Sequence, residues 1–196
     1  MRFQHLALVC STLLSTPALA SDWTIDPAHS EADFKVRHMG ISWVNGTLGT
    51  ITGTIHLDEN DVSKSSVSVS IDVSRIDTRE PKRDAHLKSP DFFDLAKYPT
   101  ATFKSTRVQQ EGVGKLKVTG DLAMHGVTRE VALSVEGPSA PIKDPWGNAH
   151  IAASATTRLD RRDYGLVWNK PLEAGGGLLV GNDVAVAISV EALPKK

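Results

Sequence analysis

The chain is 196 residues long and has a single cysteine, Cys10, so it can form no disulfide framework and no paired-thiolate zinc site. Charge is also scarce as a net quantity: 22 Lys and Arg oppose 23 Asp and Glu, for a formal −1. With no basic block, the sequence argues against a nucleic-acid partner and against attraction to an anionic membrane surface. Nothing after Ala20 is apolar enough to span a bilayer, so no transmembrane segment is expected. Chemical motifs are missing as well. There is no G-x-S-x-G elbow, and no Gly-Lys-Ser/Thr ending follows Gly175-Gly176-Gly177. Aromatics are sparse, at 6% of residues, which makes the adjacent pair Phe92-Phe93 conspicuous.

The N-terminus has the pattern of an export signal. Arg2 supplies a positive start, Leu6 to Leu14 is a short apolar run, and Ala18-Leu19-Ala20 fits a small-x-small cleavage site. Cys10 lies inside that run without small residues before it, and reads as an ordinary part of the signal rather than a lipid anchor. Residues 1–20 are therefore expected to be removed, leaving 21–196 as one exported domain in the periplasm. Losing Arg2 leaves 21 basic against 23 acidic groups, a net of −2.

What the rest contains is alternation. "SEADFKVRH" sets Ala32, Phe34 and Val36 against Glu31, Asp33, Lys35 and Arg37, the period-two pattern of a half-buried strand. "GTLGTITGTIHLD" and "SSVSVSIDV" repeat it, as do Thr100–Val108, Lys115–Met124, Thr128–Glu136, His150–Leu159 and Asp183–Glu191. Three stretches interrupt the pattern. His38 to Val44 reads as a short turn or helix. Thr78 to Tyr98 reads as two short helices, one capped by Thr78 and one started by Ser89-Pro90-Asp91. Leu159 to Gly177 is the third, containing Leu166 and Trp168.

Eight antiparallel strands leave exposed edges unless they close or pack as a sandwich. Closure of eight gives a barrel filled by side chains or able to hold one small ligand. Inward positions here include small residues, Gly49, Gly53, Ala101, Gly120, Ala153 and Ala155, which favours a barrel mildly over a sandwich. The expected fold is all-β: an eight-stranded antiparallel barrel with short capping helices.

Six histidines follow the signal, at 29, 38, 56, 86, 125 and 150, none in helical i, i+4 pairs; no metal site is expected unless folding gathers them. Asp58-Glu59-Asn60-Asp61 lacks the glycine and closing glutamate of a calcium loop and reads as a hairpin turn. Asp160, Asp163 and Glu173 around Arg161, Arg162 and Trp168 have the composition of an acid/base site. A charged strand-to-helix corner, its arginines satisfying carboxylates and carbonyls, explains "LDRRDYGL" as well, and no catalytic residue is assigned. The stretch "RDAHLKSPDFFD" combines Leu87, Phe92 and Phe93 with Arg83, Asp84 and His86. It reads either as a cap anchored by its polar residues over a hollow interior or as a plug in a solid core.

The stretches "WTIDPAHSEADFKVRHMG", "SRIDTREPKRDAHLKSPDFFDLAKYPTATFKST", "VTGDLAMHGVTREVAL", "RLDRRDYGL" and "VGNDVAVAISVEA" occur in this order over nearly the whole chain after residue 20. Together they resemble the YceI-like family of exported, lipocalin-like polyisoprenoid-binding proteins. The resemblance implies a non-enzymatic barrel whose apolar channel binds, carries or sequesters an isoprenoid quinone, a polyprenyl lipid or another long amphiphile, and it allows a homodimer. A hydrolase or isomerase acting on a hydrophobic substrate is the alternative. Candidate ligand contacts are Phe34, Val36, Met39, Leu87, Phe92, Phe93, Phe103, Leu116, Val118, Leu122, Met124, Leu166 and Trp168. Arg83, Asp84 and His86 are the polar residues of the cap or rim. No metal and no catalytic cofactor are expected.

Overall fold

The computed structural model describes residues 20–173 and 177–196. The expected export signal and Cys10 lie outside the described residues, as do Gly175 and Gly176. Eleven strands are present: β1 Ala20–Ile25, β2 Glu31–His38, β3 Ser42–Thr47, β4 Thr50–Asp58, β5 Ser66–Asp72, β6 Thr100–Gly112, β7 Lys115–Met124, β8 Val127–Glu136, β9 Ile142–Lys143, β10 Ala149–Asp160 and β11 Val180–Pro194. Every run of alternation read from the sequence centres on one of them, although the run from Gly46 to Asp58 starts in β3 and crosses Leu48-Gly49 before β4. The added strands had no such signal. β1 straddles the expected cleavage site, β9 is two residues long, and β3 carries an Asn45-Gly46 pair that suggests a turn. Gly46 is there for space: a Cβ would lie 2.7 Å from the Asp77 carbonyl and 2.9 Å from the Phe34 ring.

The strands form one sheet in the order β3-β2-β11-β1-β4-β5-β6-β7-β8-β10-β9, with an additional β10–β11 ladder from Ile151↔Ala192 to Asp160↔Asp183. This corrects the expected eight-stranded lipocalin-like barrel. There are eleven strands, two of them edges (β3 and β9), and they do not close into an uninterrupted barrel. β8 and β10 are laddered only over Ser134–Glu136 with Ser154–Thr156, and beyond that point they part. β1 reaches β11 through three residue pairs, Trp23 to Ile25, and meets β4 only along Ala20–Thr24. The cause is visible at β11. Its first half pairs with β2 and its last residues with β1, so one strand serves two neighbours on the same side.

The capping helices are corrected too. Among the described residues there is one α-helix, α1 Pro81–Lys88, with three short 3₁₀ turns elsewhere. Its cap is Glu80, whose carboxylate accepts from the Lys82 N–H at 3.2 Å, and Pro81 takes the first position, where no donor is needed. Thr78, the expected cap, is buried and used otherwise. No second helix starts at Ser89, which ends α1: its Oγ donates to the His86 carbonyl at 2.8 Å. Asp94, at φ 45°, then takes the left-handed conformation that a helix cannot continue through, and residues 89–98 are turns. His38 to Val44 is the β2–β3 hairpin rather than a helix.

Apolar residues collect in three clusters on one face of the sheet. The largest joins Ala32, Ile51, Ile71, Val73, Ile76, Phe92, Phe93, Ala101, Tyr164 and Leu166 at the end where α1 lies. Phe103, Val108 and Val118 form a second, and Trp23, Ile151 and Ala192 a third at the opposite end. At Gly120 the sheet folds tightly over a β6 irregularity between Ser105 and Arg107. A Cβ there would sit 2.4 Å from the Lys104 carbonyl, so no other residue fits.

Candidate functional site

The alternation that builds the strands also builds an inner wall. Cross-strand partners share a face, so Phe103↔Leu122, Val118↔Leu133, Leu116↔Val135 and Ala155↔Ile188 point the same way. Phe103 and Val118 are buried. Phe34, Val69, Leu116, Leu122, Val131, Leu133, Val135, Ile188 and Val190 pack on the clusters yet stay only partly buried. Apolar wall residues thus keep part of their surface uncovered.

Phe34, Leu87, Leu122, Met124 and Trp168 pack around the buried Phe92, Phe93 and Leu166, while Leu116 and Leu122 pack around Phe103 and Val118. Leu122 belongs to both groups, so the candidate contacts form a continuous apolar surface. Val36 is partly buried outside these clusters. Met39 is not gathered with them: it is 41% exposed at the tip of the β2–β3 hairpin.

The polar residues beside the two Phe act as braces. Asp84 Oδ1 accepts from the Thr78 backbone N–H at 2.9 Å and from its hydroxyl. Arg83 donates from Nε to Thr78 Oγ1 at 2.8 Å and from its terminal nitrogen to the Thr78 carbonyl at 2.9 Å. Both tie α1 to the segment before it. His86 faces the apolar side: its ring meets Phe92 edge-on at 5.0 Å and Trp168 at 4.7 Å, with Nε2 2.8 Å from Asp91 Oδ2. The segment carrying Phe92 and the one carrying Trp168 therefore meet both through this imidazole and directly, the two rings lying 5.3 Å apart.

The charged corner after β10 is a scaffold. Arg161 is buried and donates to the Gly181 carbonyl at 2.9 Å and to the Leu166 carbonyl, pinning the chain after β10 to the start of β11. Hydrogen bonds from Arg162, opposed by burial, hold Asp160 at about 2, so it stays a braced carboxylate rather than a proton donor at neutral pH.

Two residues at this end escaped the sequence reading. Arg129 pairs with Leu122 across β7 and β8, which puts it on the apolar face in register with Val127, Val131, Leu133 and Val135. It is the one charged residue at an inward position of the eight longer strands among the described residues. The period-two reading of Thr128–Glu136 already contained that signal. Tyr164 is 1% exposed and its phenol has no hydrogen-bond partner. Burial, with the Asp163 charge, pushes the phenol up to about 12, against the nearby Arg129 charge.

Away from the wall, folding does gather histidines. His29 Nδ1 lies 2.8 Å from Asp26 Oδ2, and donor atoms of Asp26, His29 and Glu191 fall within 4.8 Å of one another. His150 contacts Glu191 at 2.7 Å and Asp144 at 3.3 Å. This group is on the outer face, away from the apolar wall. A groove of about 860 Å³ also opens outward where β8 and β10 part. It is bordered mainly by small and charged residues such as Ala132, Ser134, Ala187, Lys35 and Arg158.

An antiparallel sheet with an apolar inner face, and one helix and two buried aromatics packed against one end of it, defines an all-β protein. The chain belongs to the YceI-like domain family, which matches residues 23–192. It is 41% identical over 159 residues to a UPF0312 protein of Vibrio parahaemolyticus, covering 80% of this chain and 84% of that one. Among solved structures it is similar to BcnA of Burkholderia cenocepacia, with TM-score 0.72 and 20% identity over 85% of this chain and 98% of that one. It is also similar to a polyisoprenoid-binding domain from Saccharophagus degradans implicated in plant cell wall breakdown, with TM-score 0.62 and 17% identity over 88% and 98% of the two chains. At these identities the two structures speak for the fold. No helix among the described residues is long and apolar enough to cross a membrane.

Proposed function

We propose that this protein binds a long-chain amphiphile, an isoprenoid quinone or polyprenyl lipid, along its apolar inner wall and carries or sequesters it in the periplasm. The observation that carries the reading is the wall itself, which is apolar over several strands and incompletely covered by its own side chains. The polyisoprenoid binding named for the Saccharophagus domain supports the ligand class. Each methylene taken from water contributes ~0.8 kcal/mol, so tail burial dominates affinity and a few polar groups set specificity. In this reading Phe34, Leu116, Leu122, Met124 and Trp168 contact the tail, Phe103, Val118 and Leu166 back the wall, and Leu87, Phe92 and Phe93 close the end. The headgroup lies at that end, beside Arg129 and the Tyr164 phenol. Neither role needs chemistry on the ligand, and the reading is non-enzymatic.

Mass spectrometry of an organic extract of the protein, purified from its native envelope, tests this. Intact amphiphile at near-equal molar amount is the expected result. An extract without lipid overturns it, and turnover of the lipid on incubation replaces it with a hydrolase or isomerase. N-terminal sequencing of the same sample should begin Ser21-Asp22-Trp23; a retained Met1 would remove the periplasmic assignment.

A further inference from the structure

We propose that the β2–β3 hairpin and the chain beside it form a docking tip for an anionic lipid bilayer, presented at the end closed by α1. Large hydrophobic side chains exposed to solvent concentrate at the two ends of the sheet. At the α1 end they are Met39 (41% exposed), Ile41 (78%), Trp43 (41%), Val167 (65%) and Leu178 (46%). At the opposite end they are Val113, Ile142 and Trp146. Scattered single exposures need no explanation, but here five gather at one end. Backbone bonds join its parts: the Met39 N–H donates to the Leu179 carbonyl at 2.8 Å, and the Leu179 N–H donates to the Lys170 carbonyl at 2.9 Å.

The tip has its own conformation. Met39 and Gly40 both have positive φ, 53° and 73°, and the Ile41 N–H donates to the His38 carbonyl at 3.1 Å. This tight turn holds Met39 and Ile41 outward, at the cost of a non-glycine residue in the left-handed region. Behind it Trp43 carries two cations on its ring, the Arg37 guanidinium at 4.1 Å and the Lys35 ammonium at 5.5 Å. An indole with basic groups around it and aliphatic residues ahead of it is the chemistry of the headgroup layer: apolar groups enter, the indole stays at the boundary, and the cations meet lipid phosphates. The charge complementarity favours a bilayer over a protein partner. The edge backbone of β3 limits the tip to that layer, because unpaired N–H and C=O groups are not tolerated in hydrocarbon. The chain's near-zero net charge conceals this patch, since Lys35 and Arg37 come from β2 and Trp43 from β3, and only pairing unites them.

The purpose of docking rests on the lipid-binding reading; the docking itself does not. Flotation of the purified protein with vesicles of phosphatidylglycerol and phosphatidylethanolamine, against phosphatidylcholine vesicles, tests it. Wild type should float with the anionic vesicles. Ile41→Asp with Trp43→Asp should lower the bound fraction ~10-fold, and Ile41→Asp alone should lower it in the same direction. Lys35→Glu with Arg37→Glu should abolish the preference for the anionic vesicles. Ile142→Asp with Trp146→Asp, at the opposite end, should change nothing. Wild type that does not float, or equal losses in the two pairs of variants, overturns the proposal. So do a tip variant that floats normally and one that changes only self-association. The lipid extract is read separately: flotation without extracted lipid keeps the docking and sinks the lipid-binding reading, and extracted lipid without flotation does the reverse.

Discussion

At the end where α1 packs, ten buried residues from strands, turns and loops meet, Phe92, Phe93 and Tyr164 among them. At the opposite end Trp23, Ile151 and Ala192 pack between strand ends, and outside them lies a hydrogen-bonded group of His150, Asp144 and Glu191. One end is packed by parts that are continuous with the sheet. The other is packed by α1 and the turns after it, tied down through Thr78 and His86. Only the second is held without a strand ladder, so if the proposed lipid binding holds, a ligand's entry and exit belong at the α1 end.

The strongest way to break this comparison is to truncate both closures. Phe92→Ala with Phe93→Ala should cost ~3–5 kcal/mol per side chain, and Trp23→Ala at the other end a similar amount. Melting curves should therefore fall in both variants, whereas lipid release should quicken only in the Phe variant. Equal release rates would show that Phe92 and Phe93 plug a core and close nothing.

Next in size is Arg161, whose buried guanidinium holds the Leu166 and Gly181 carbonyls. Arg161→Met should lose ~2–3 kcal/mol, the scale of hydrogen bonds made by a charged group, and should raise hydrogen exchange around Leu166 before that of β1. Uniform loosening of both ends would contradict the separate closures. A smaller effect of opposite sign is expected at Tyr164. Tyr164→Phe removes a buried hydroxyl without a partner and should raise the melting temperature of the lipid-free protein, by the equivalent of ~1 kcal/mol. If the phenol serves the headgroup, the same change weakens lipid binding. Stability and binding that fall together would place an unseen partner on the hydroxyl in the empty protein.

Strands were the legible part of this sequence, because a half-buried strand writes its environment residue by residue, as in Ala32-Asp33-Phe34-Lys35-Val36. The strand-borne apolar candidates could be named for the same reason, whereas Leu87, Phe92, Phe93, Leu166 and Trp168 lie on the helix, turns or a loop and Met39 on the hairpin turn, none of which carries alternation. Closure was not legible. Whether β8 meets β10 along its length depends on how the strands diverge after Ser134 and Thr156, and no local pattern records that. The sharing of β11 between β1 and β2 is likewise a property of three segments far apart in sequence. Ser89-Pro90-Asp91 shows the limit of local rules: it has the composition of a helix start, but the hydroxyl was already used to end α1. Arg129 is the opposite case, a residue the alternation exposed as anomalous and that required only the register to be followed.

The smallest expected effect belongs to the far end and depends on pH. Burial works against a charged His150, but its hydrogen bonds to Asp144 and Glu191 outweigh it and raise the imidazole above 6.5. The Asp26 hydrogen bond raises His29 in the same way. A folded-state pKa above the unfolded value means that the native state binds the proton more tightly. That contribution is complete below pH 6.5 and is lost as pH rises through the raised values. Asp144 has the opposite sign. Asn148, against some burial, holds it at about 2 instead of 3.8, so its contribution is present above 3.8 and is lost as pH falls toward 2. Solvent screening at this surface, where His29 is exposed and His150 and Asp144 are part-buried, keeps the effects modest. The melting temperature should thus decline slowly above pH 6.5, and His29→Gln with His150→Gln should flatten that decline. The Phe92→Ala, Phe93→Ala protein should keep the slope at a lower temperature, because its lesion lies at the other end. A slope unchanged by the histidine substitutions would assign the pH response elsewhere and remove the electrostatic half of the comparison.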